Sequence, residues 1–257
     1  MLELDENLPE AALIDSYQTE LAAAMTGEGK VWLHGTAEAL QCEDDGIVSG
    51  WQSVCGTYRA IPTEPNDGNG QIMRSGEGYG LLCQGARHCG LHLPEMTSRS
   101  DVFTMAVLYR RIADAEPRTL LTLNGSGRNR SENYLFLSDD GETLVVKDTN
   151  QAIVLPLPRH ESDTDLRCVV VTLSGDRLLV QDSGGPIHEV TGVPPGLPAP
   201  ASLFIGARSH RSGLQKTLGD SVIEDVLFWP GQRLLGPLSE EDSRQARLLA
   251  RYYLWRR

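Results

Sequence analysis

Apolar residues recur at two different periods along this chain. Within residues 9–25, Leu13, Tyr17, Leu21 and Met25 return every four positions, with Ile14 and Ala24 beside them. That spacing draws one apolar stripe along a helix. Pro9 suits its first position, Glu10 favours the positive end of its dipole, and Thr26-Gly27-Glu28-Gly29 stops it. From Lys30 to about Gly231 the rhythm changes to short β-rich runs bounded by Gly, Pro, Asp or Asn. These predict strands at Val31–His34, Gly80–Gln84, Val102–Arg110, Thr119–Leu123, Tyr134–Leu137, Thr143–Lys147, Ala152–Leu155, Arg167–Leu173, Arg177–Gln181, Ile187–Val190, Ser202–Ala207 and Ser221–Trp229. Many short strands without a βαβ rhythm point to a sandwich or barrel. Pro194-Pro195-Gly196-Leu197-Pro198-Ala199-Pro200 is a stiff connector that cannot lie inside a sheet. The end is helical again. Ser239 offers a cap with Asp242 three positions on, and Arg244, Arg247, Arg251, Arg256 and Arg257 crowd the later turns. Leu248, Leu249, Tyr252 and Trp255 supply an apolar side to dock on the strands. The pattern divides the chain into a helical segment, residues 1–29, and a sandwich with its C-terminal helix, residues 30–257.

Composition narrows the function classes. A net charge of -12 over 257 residues argues against nucleic acid as a direct partner, because phosphate binding needs a basic footprint. No apolar run approaches the ~18 residues of a membrane span. The opening MLELDENLPE is acidic and has no basic n-region followed by an apolar run, so no secretory signal is expected. Five cysteines, an odd number, then default to free thiols.

Several stretches are specific enough to carry a resemblance. "VWLHGTAEALQ" followed by "DDGIVSGWQSVCG", the strand "DVFTMAVLYRRI" and the pair "RCVVVTLSGDRLLVQDSGG" resemble successive parts of concanavalin A-like, laminin-G-like jelly-roll domains. The ending "ASLFIGARSHRSGLQKTLGDSVIEDVLFWPGQRLL", followed by a Ser-capped helix, is the most specific part. The resemblance covers about Lys30 to Trp255, with departures at Trp229 (usually tyrosine) and Cys55 (often Asp or Ser). It implies an all-β, concanavalin A-like jelly-roll β-sandwich with an N-terminal and a C-terminal helix. It also implies glycan recognition by loops or by one sheet face. A lectin-like domain without an export signal suits a particle assembled in the cytoplasm and freed by lysis. The expectation is therefore a spike, fibre or decoration protein of a phage or gene-transfer-agent virion, and otherwise a cytoplasmic protein. Its expected partners are host surface polysaccharide and, through the N-terminal helix, other virion subunits or further copies of itself. The alternatives are a glycoside hydrolase of the same fold and a purely structural virion subunit.

Four motifs hint at chemistry. Asp182-Ser183-Gly184-Gly185-Pro186 matches the serine-protease nucleophile signature, but the only early histidine, His34, lacks the Ala-Ala-His-Cys context. The glycines and the flanking apolar runs predict a hairpin turn instead. Cys83, His88, Cys89 and His92 are soft ligands at a spacing unlike common zinc sites. A Cys83–Cys89 disulfide would require an oxidising medium. Glu224 and Asp225 form a carboxylate pair, but they are adjacent on a strand and so are expected to point to opposite faces. Asp44, Asp45, Asp67, Asp139 and Asp140 are read as solvated turn formers rather than calcium ligands. No catalytic residue, cofactor or metal is therefore expected, and the chain is read as a non-enzyme. Ligand contacts are assigned to the loops Asn124–Asn133 and Arg208–Lys216: Asn124, Arg128, Asn129, Arg130, Arg208, His210 and Arg211. Their amides and guanidinium forks suit sugar hydroxyls, uronates or sulfates. Trp32, Trp51 and Trp229 are expected in the core.

Overall fold

A computed structural model describes residues 14–43, 47–68, 71–74, 78–97, 102–125, 134–148, 151–157, 165–192, 201–210 and 215–257. In chain order the elements begin with α1 (Ile14–Ala24), β1 (Val31–His34), β2 (Leu40–Cys42), β3 (Val48–Gln52), β4 (Arg59–Pro62), β5 (Gln71–Arg74) and β6 (Gly78–Cys83). Then come β7 (Leu91–Thr97), β8 (Val102–Arg111), β9 (Arg118–Gly125), β10 (Tyr134–Asp139), β11 (Thr143–Lys147) and β12 (Ala152–Pro156). The remainder is β13 (Arg167–Ser174), β14 (Arg177–Asp182), β15 (Ile187–Thr191), β16 (Ala201–Ile205), β17 (Ser221–Pro230) and α2 (Glu240–Arg256). The strands form an eight-stranded sheet, ordered β15-β14-β13-β8-β17-β6-β5 with β1 also on β17, and a nine-stranded sheet, ordered β12-β11-β10-β9-β16-β7-β4-β3-β2. The described pairings are antiparallel, and the chain is a two-sheet jelly-roll β-sandwich with a helix at each end.

The main core lies between the sheets. Phe103, Met105, Val107 and Tyr109 of β8 point into it, as do Leu121 and Leu123 of β9 and Leu203 and Ile205 of β16. The alternate residues of the eight-stranded sheet are apolar too. Trp32, Ala106, Leu108, Cys168, Val170, Leu179, Leu227 and Trp229 form a second cluster with Leu21 and Met25 near the N-terminus and Leu248, Leu249, Tyr252 and Tyr253 of α2. That sheet is covered on both faces, which is why β8 and β13 read as unbroken apolar runs. By contrast, β11 and β12 alternate buried and less buried positions, as one-sided strands do.

The helices are locked by local chemistry as well as burial. The Ser239 hydroxyl accepts from the Asp242 amide at 3.1 Å, and Glu240, Glu241 and Asp242 occupy the first turn of α2. Arg251 of α2 lies 4.5 Å over the Tyr17 ring of α1. Leu21 and Met25, the residues that the sequence offers to a partner, are buried in the chain's own second cluster. Residues 9–13 of the expected helix lie outside the described residues. Trp32, Trp51 and Trp229 are fully buried, and their indole N–H groups donate to Asp225 Oδ1 (2.8 Å), His34 O (3.0 Å) and Gln245 Oε1 (3.4 Å).

Candidate functional site

Sheet register places one row of side chains across the outer face of the nine-stranded sheet. Ile61, His92, Phe204, Thr122, Phe136 and Lys147 stand side by side on β4, β7, β16, β9, β10 and β11. Their sequence neighbours Leu91, Leu93, Leu121, Leu123, Leu203 and Ile205 are in the core, so the row faces outward. Even so, His92, Phe204, Thr122 and Phe136 are buried. The segment after β16 covers them. Gly206, at φ 66°, donates its amide to Leu120 O at 2.9 Å and turns the chain back across the sheet. The Arg208 guanidinium then lies 4.0 Å over the Phe136 ring and donates from Nε to Thr119 Oγ1 at 3.2 Å. Asn124 Nδ2 donates to Arg208 O at 3.3 Å. The exposed His210 packs edge-on against His92 (ring centroids 4.4 Å apart) and Phe204 (5.0 Å). Its Nδ1 accepts from the Glu64 amide at 3.0 Å, which leaves the ring hydrogen on Nε2 in the neutral form.

Two polar atoms in this row, His92 Nδ1 and Thr122 Oγ1, are buried and have no hydrogen-bond partner among the described residues. Buried polar groups are almost always paired, because an unmade bond costs about 1–3 kcal/mol. The patch therefore combines ring faces, a guanidinium, an imidazole edge and two open hydrogen-bonding positions. Burial, and after it the charge of His210, hold His92 below the ordinary imidazole range. The folded chain thus resists a proton that the unfolded chain accepts near pH ~6.5. The stability this saves is fully present above that pH and is lost as pH falls towards the folded value. The melting temperature should fall between pH 7.5 and 5.5, and His92→Phe should flatten that slope. Equal slopes in differential scanning fluorimetry would contradict this account.

Of the residues assigned to ligand from sequence, Asn124, Arg208 and His210 meet on this face. Arg128, Asn129, Arg130 and Arg211 lie outside the described residues. His92, Thr122, Phe136 and Phe204 were missed. Their signal was the outward-phase aromatic residue in "YLFL" and "SLFI", which marks a sheet face that something covers.

The carboxylate pair departs from expectation. A bulge between Ile223 and Asp225 turns Glu224 and Asp225 to the same side of β17. It falls where the edge partner of β17 changes from β6 to β1. Arg110 Nε and Arg256 Nη2 each donate to Glu224 at 2.8 Å. Asp225 accepts from Trp32 Nε1 (2.8 Å), His34 Nδ1 (2.7 Å) and the Tyr252 hydroxyl (3.0 Å). Burial, then the Asp225 charge, push the Tyr252 phenol well above its usual range, so it stays a donor. Both carboxylates are buried beneath α2 and serve to pin it to the sheet.

The remaining motifs are structural. Ser183 (φ 50°) and Gly184 (φ 74°) are the central residues of a type I′ turn closed by the Gly185 amide donating to Asp182 O at 2.8 Å. The Ser183 hydroxyl donates to Asp182 Oδ1 at 2.9 Å, so the protease arrangement does not form. Cys83 and Cys89 are buried free thiols, and Cys83 donates to Cys89, which pushes the Cys83 thiol up. No group of three or more metal-ligating side chains occurs among the described residues. Asp140 accepts backbone amides within its turn, as expected; Asp67 instead accepts the amide of His88 from another segment, Asp139 is fully buried, and Asp44 and Asp45 lie outside the described residues.

No family model and no curated protein sequence matches the chain. Solved structures do. A Trypanosoma rangeli sialidase in complex with the inhibitor DANA superposes with TM-score 0.57 at 17% identity, over 93% of this chain and 38% of the sialidase. Domain 4 of AbnA, a GH43 extracellular arabinanase from Geobacillus stearothermophilus, in complex with arabinotriose, gives 0.51 at 13% identity, over 77% of this chain and 91% of that domain. An arabinofuranosidase complexed with arabinofuranosyl-alpha-1,2-xylobiose gives 0.50 at 11% identity, over 79% of this chain and 51% of the enzyme. The chain thus spans about half the arabinofuranosidase and less of the sialidase. These neighbours correct the expectation of a non-enzyme: the sandwich recurs in chains of glycoside hydrolases and a sialidase, so the fold gives no ground for setting catalysis aside. In fold, the chain is similar to β-sandwiches found within carbohydrate-active enzymes.

Proposed function

We propose that the chain engages carbohydrate on the outer face of the nine-stranded sheet, as the sandwich of a carbohydrate-active protein. The observation that carries this is the covered row itself, in which His92 Nδ1 and Thr122 Oγ1 lie unpaired beside Arg208 and His210. Sugars present many hydroxyls at short spacing and can satisfy such positions once the segment after β16 that covers them is drawn aside. The company of glycan-bound neighbours supports the same reading. Charge favours an acidic glycan. The loops Asn124–Asn133 and Arg208–Lys216 hold Arg128, Arg130, Arg208, Arg211 and Lys216 against the single acid Glu132, in a chain whose net charge is -12.

A screen of polyuronate, sialylated and arabinan oligosaccharides by calorimetry, with product analysis, tests this. Acidic glycans should bind more tightly than neutral ones, and more weakly as salt rises. Arg208→Ala should weaken binding by about tenfold or more, the cost of a charge-assisted hydrogen bond. No binding by any glycan, or binding indifferent to Arg208→Ala, would remove the proposal. A second reading, glycoside hydrolysis, is favoured by the bulge that turns Glu224 and Asp225 to one side. It requires α2 to lift away, and it predicts reducing-sugar release that Glu224→Gln abolishes. Display on a phage-like particle is a separate, finer part of the proposal, tested by immunogold labelling of purified particles, and absence from them would end it.

A further inference from the structure

A cavity of about 390 Å³ lies on the opposite side of the sandwich, between α2 and the eight-stranded sheet. Small side chains create it. Ala246 and Ala250, one helical turn apart, face Cys168 on β13 and Gly184 in the turn after β14. An apolar gap between a helix and a sheet normally closes, because an empty one forfeits packing contacts. Here α2 cannot settle into it. Tyr252 and Arg256 tie the helix to Asp225 and Glu224, and the Tyr253 hydroxyl donates to Leu166 O at 3.2 Å. The trough is therefore a rigid feature of the fold, within the size range of small-molecule sites.

Its lining specifies the occupant. The walls are mostly apolar, and the large side chain Leu254 is 68% exposed at the rim. The polar groups that reach the space are Gln181, Ser183 and Arg257, and no carboxylate side chain lines it. The Gln181 amide nitrogen and the Ser183 hydroxyl hydrogen are already used within the turn, on Gly185 O and Asp182. Arg257 has no ion-pair partner among the described residues. We propose that this cavity binds a single-chain amphiphile with an acidic head, such as a fatty-acid carboxylate. The chain lies against Leu249, Tyr253 and Leu254, and the head faces Arg257. The site is separate from the carbohydrate face and independent of the reading given to it.

Titration of the full chain with 11-(dansylamino)undecanoic acid should give saturable, one-to-one fluorescence enhancement that dodecanoate reverses. Ala250→Trp, at an exposed helix position, fills the trough and should weaken binding at least tenfold while the melting temperature stays at or above that of the wild type. Arg257→Gln should weaken dodecanoate several-fold and leave dodecanol unchanged. No saturable signal with the wild type, or equal binding by Ala250→Trp, would overturn the site. Equal dodecanoate affinity in Arg257→Gln would overturn the acidic ligand class.

Discussion

Asp225→Ala should lower the unfolding free energy by about 3–5 kcal/mol, the cost of stripping one member from a buried charged network. The carboxylate is fully buried and is the common acceptor for three donors on two elements: Trp32 and His34 of β1 and Tyr252 of α2. Removing it leaves the Trp32 indole N–H unpaired in an apolar layer, and leaves the Tyr252 hydroxyl and His34 Nδ1, 3.3 Å apart, only to each other. It also leaves Arg256 with Glu224 alone, so α2 loses the Tyr252 bond and part of the Arg256 ion pair. For a chain of this length each kcal/mol is worth about 2–4 °C in melting temperature. Urea unfolding followed by circular dichroism and by tryptophan fluorescence is the measurement. The fluorescence of Trp32 should respond with, or before, the loss of α2. A change below about 1 kcal/mol would mean that the network does not hold the helix.

A comparable loss is expected on the other side of the core. Asp139 of β10 reaches across the sandwich to Arg111 of β8, which donates from Nε at 2.8 Å and from Nη2 at 2.7 Å. The Tyr109 hydroxyl adds a third bond at 2.6 Å. Asp139 is fully buried and Arg111 nearly so, which makes this a bidentate ion pair joining the two sheets. Asp139→Leu should cost about 3–5 kcal/mol, because it strands the buried guanidinium. The double variant Asp139→Leu, Arg111→Leu should recover most of that loss, since two apolar side chains carry no desolvation penalty. A double-mutant cycle in urea separates these outcomes. Losses that simply add would show that the pair is not coupled.

Much of the sandwich was legible in the chain, and the places where it was not share one cause. Strands β1 and β11 match their predicted limits, and β8, β13 and β17 begin where predicted; in the last three, long apolar runs leave little choice of state. Strands β2 to β5 and β7 went unread. They are short or interrupted: β3 carries Gly50, over which the Arg59 side chain lies, and β7 carries Pro94 and Glu95, the latter at φ 53°. Such segments have weak local preference and take strand geometry from their neighbours. The hairpin was readable from its glycines between two apolar runs, although the first positive-φ position falls on Ser183 and not on Asp182.

The sequence by itself determined the many-stranded β class, the capped C-terminal helix, the buried tryptophans and the structural role of Asp182–Gly185. Each follows from local periodicity or from the conformational limits of single residues. Only the tertiary structure decided that Glu224 and Asp225 share a face, that Asp139 crosses the core, and that His92, Phe204, Thr122 and Phe136 form one row under Arg208 and His210. A bulge, a strand register and a folded-back loop set these relations. They depend on pairing between segments as far apart as Ile61 and Phe204, and no window of sequence contains that pairing.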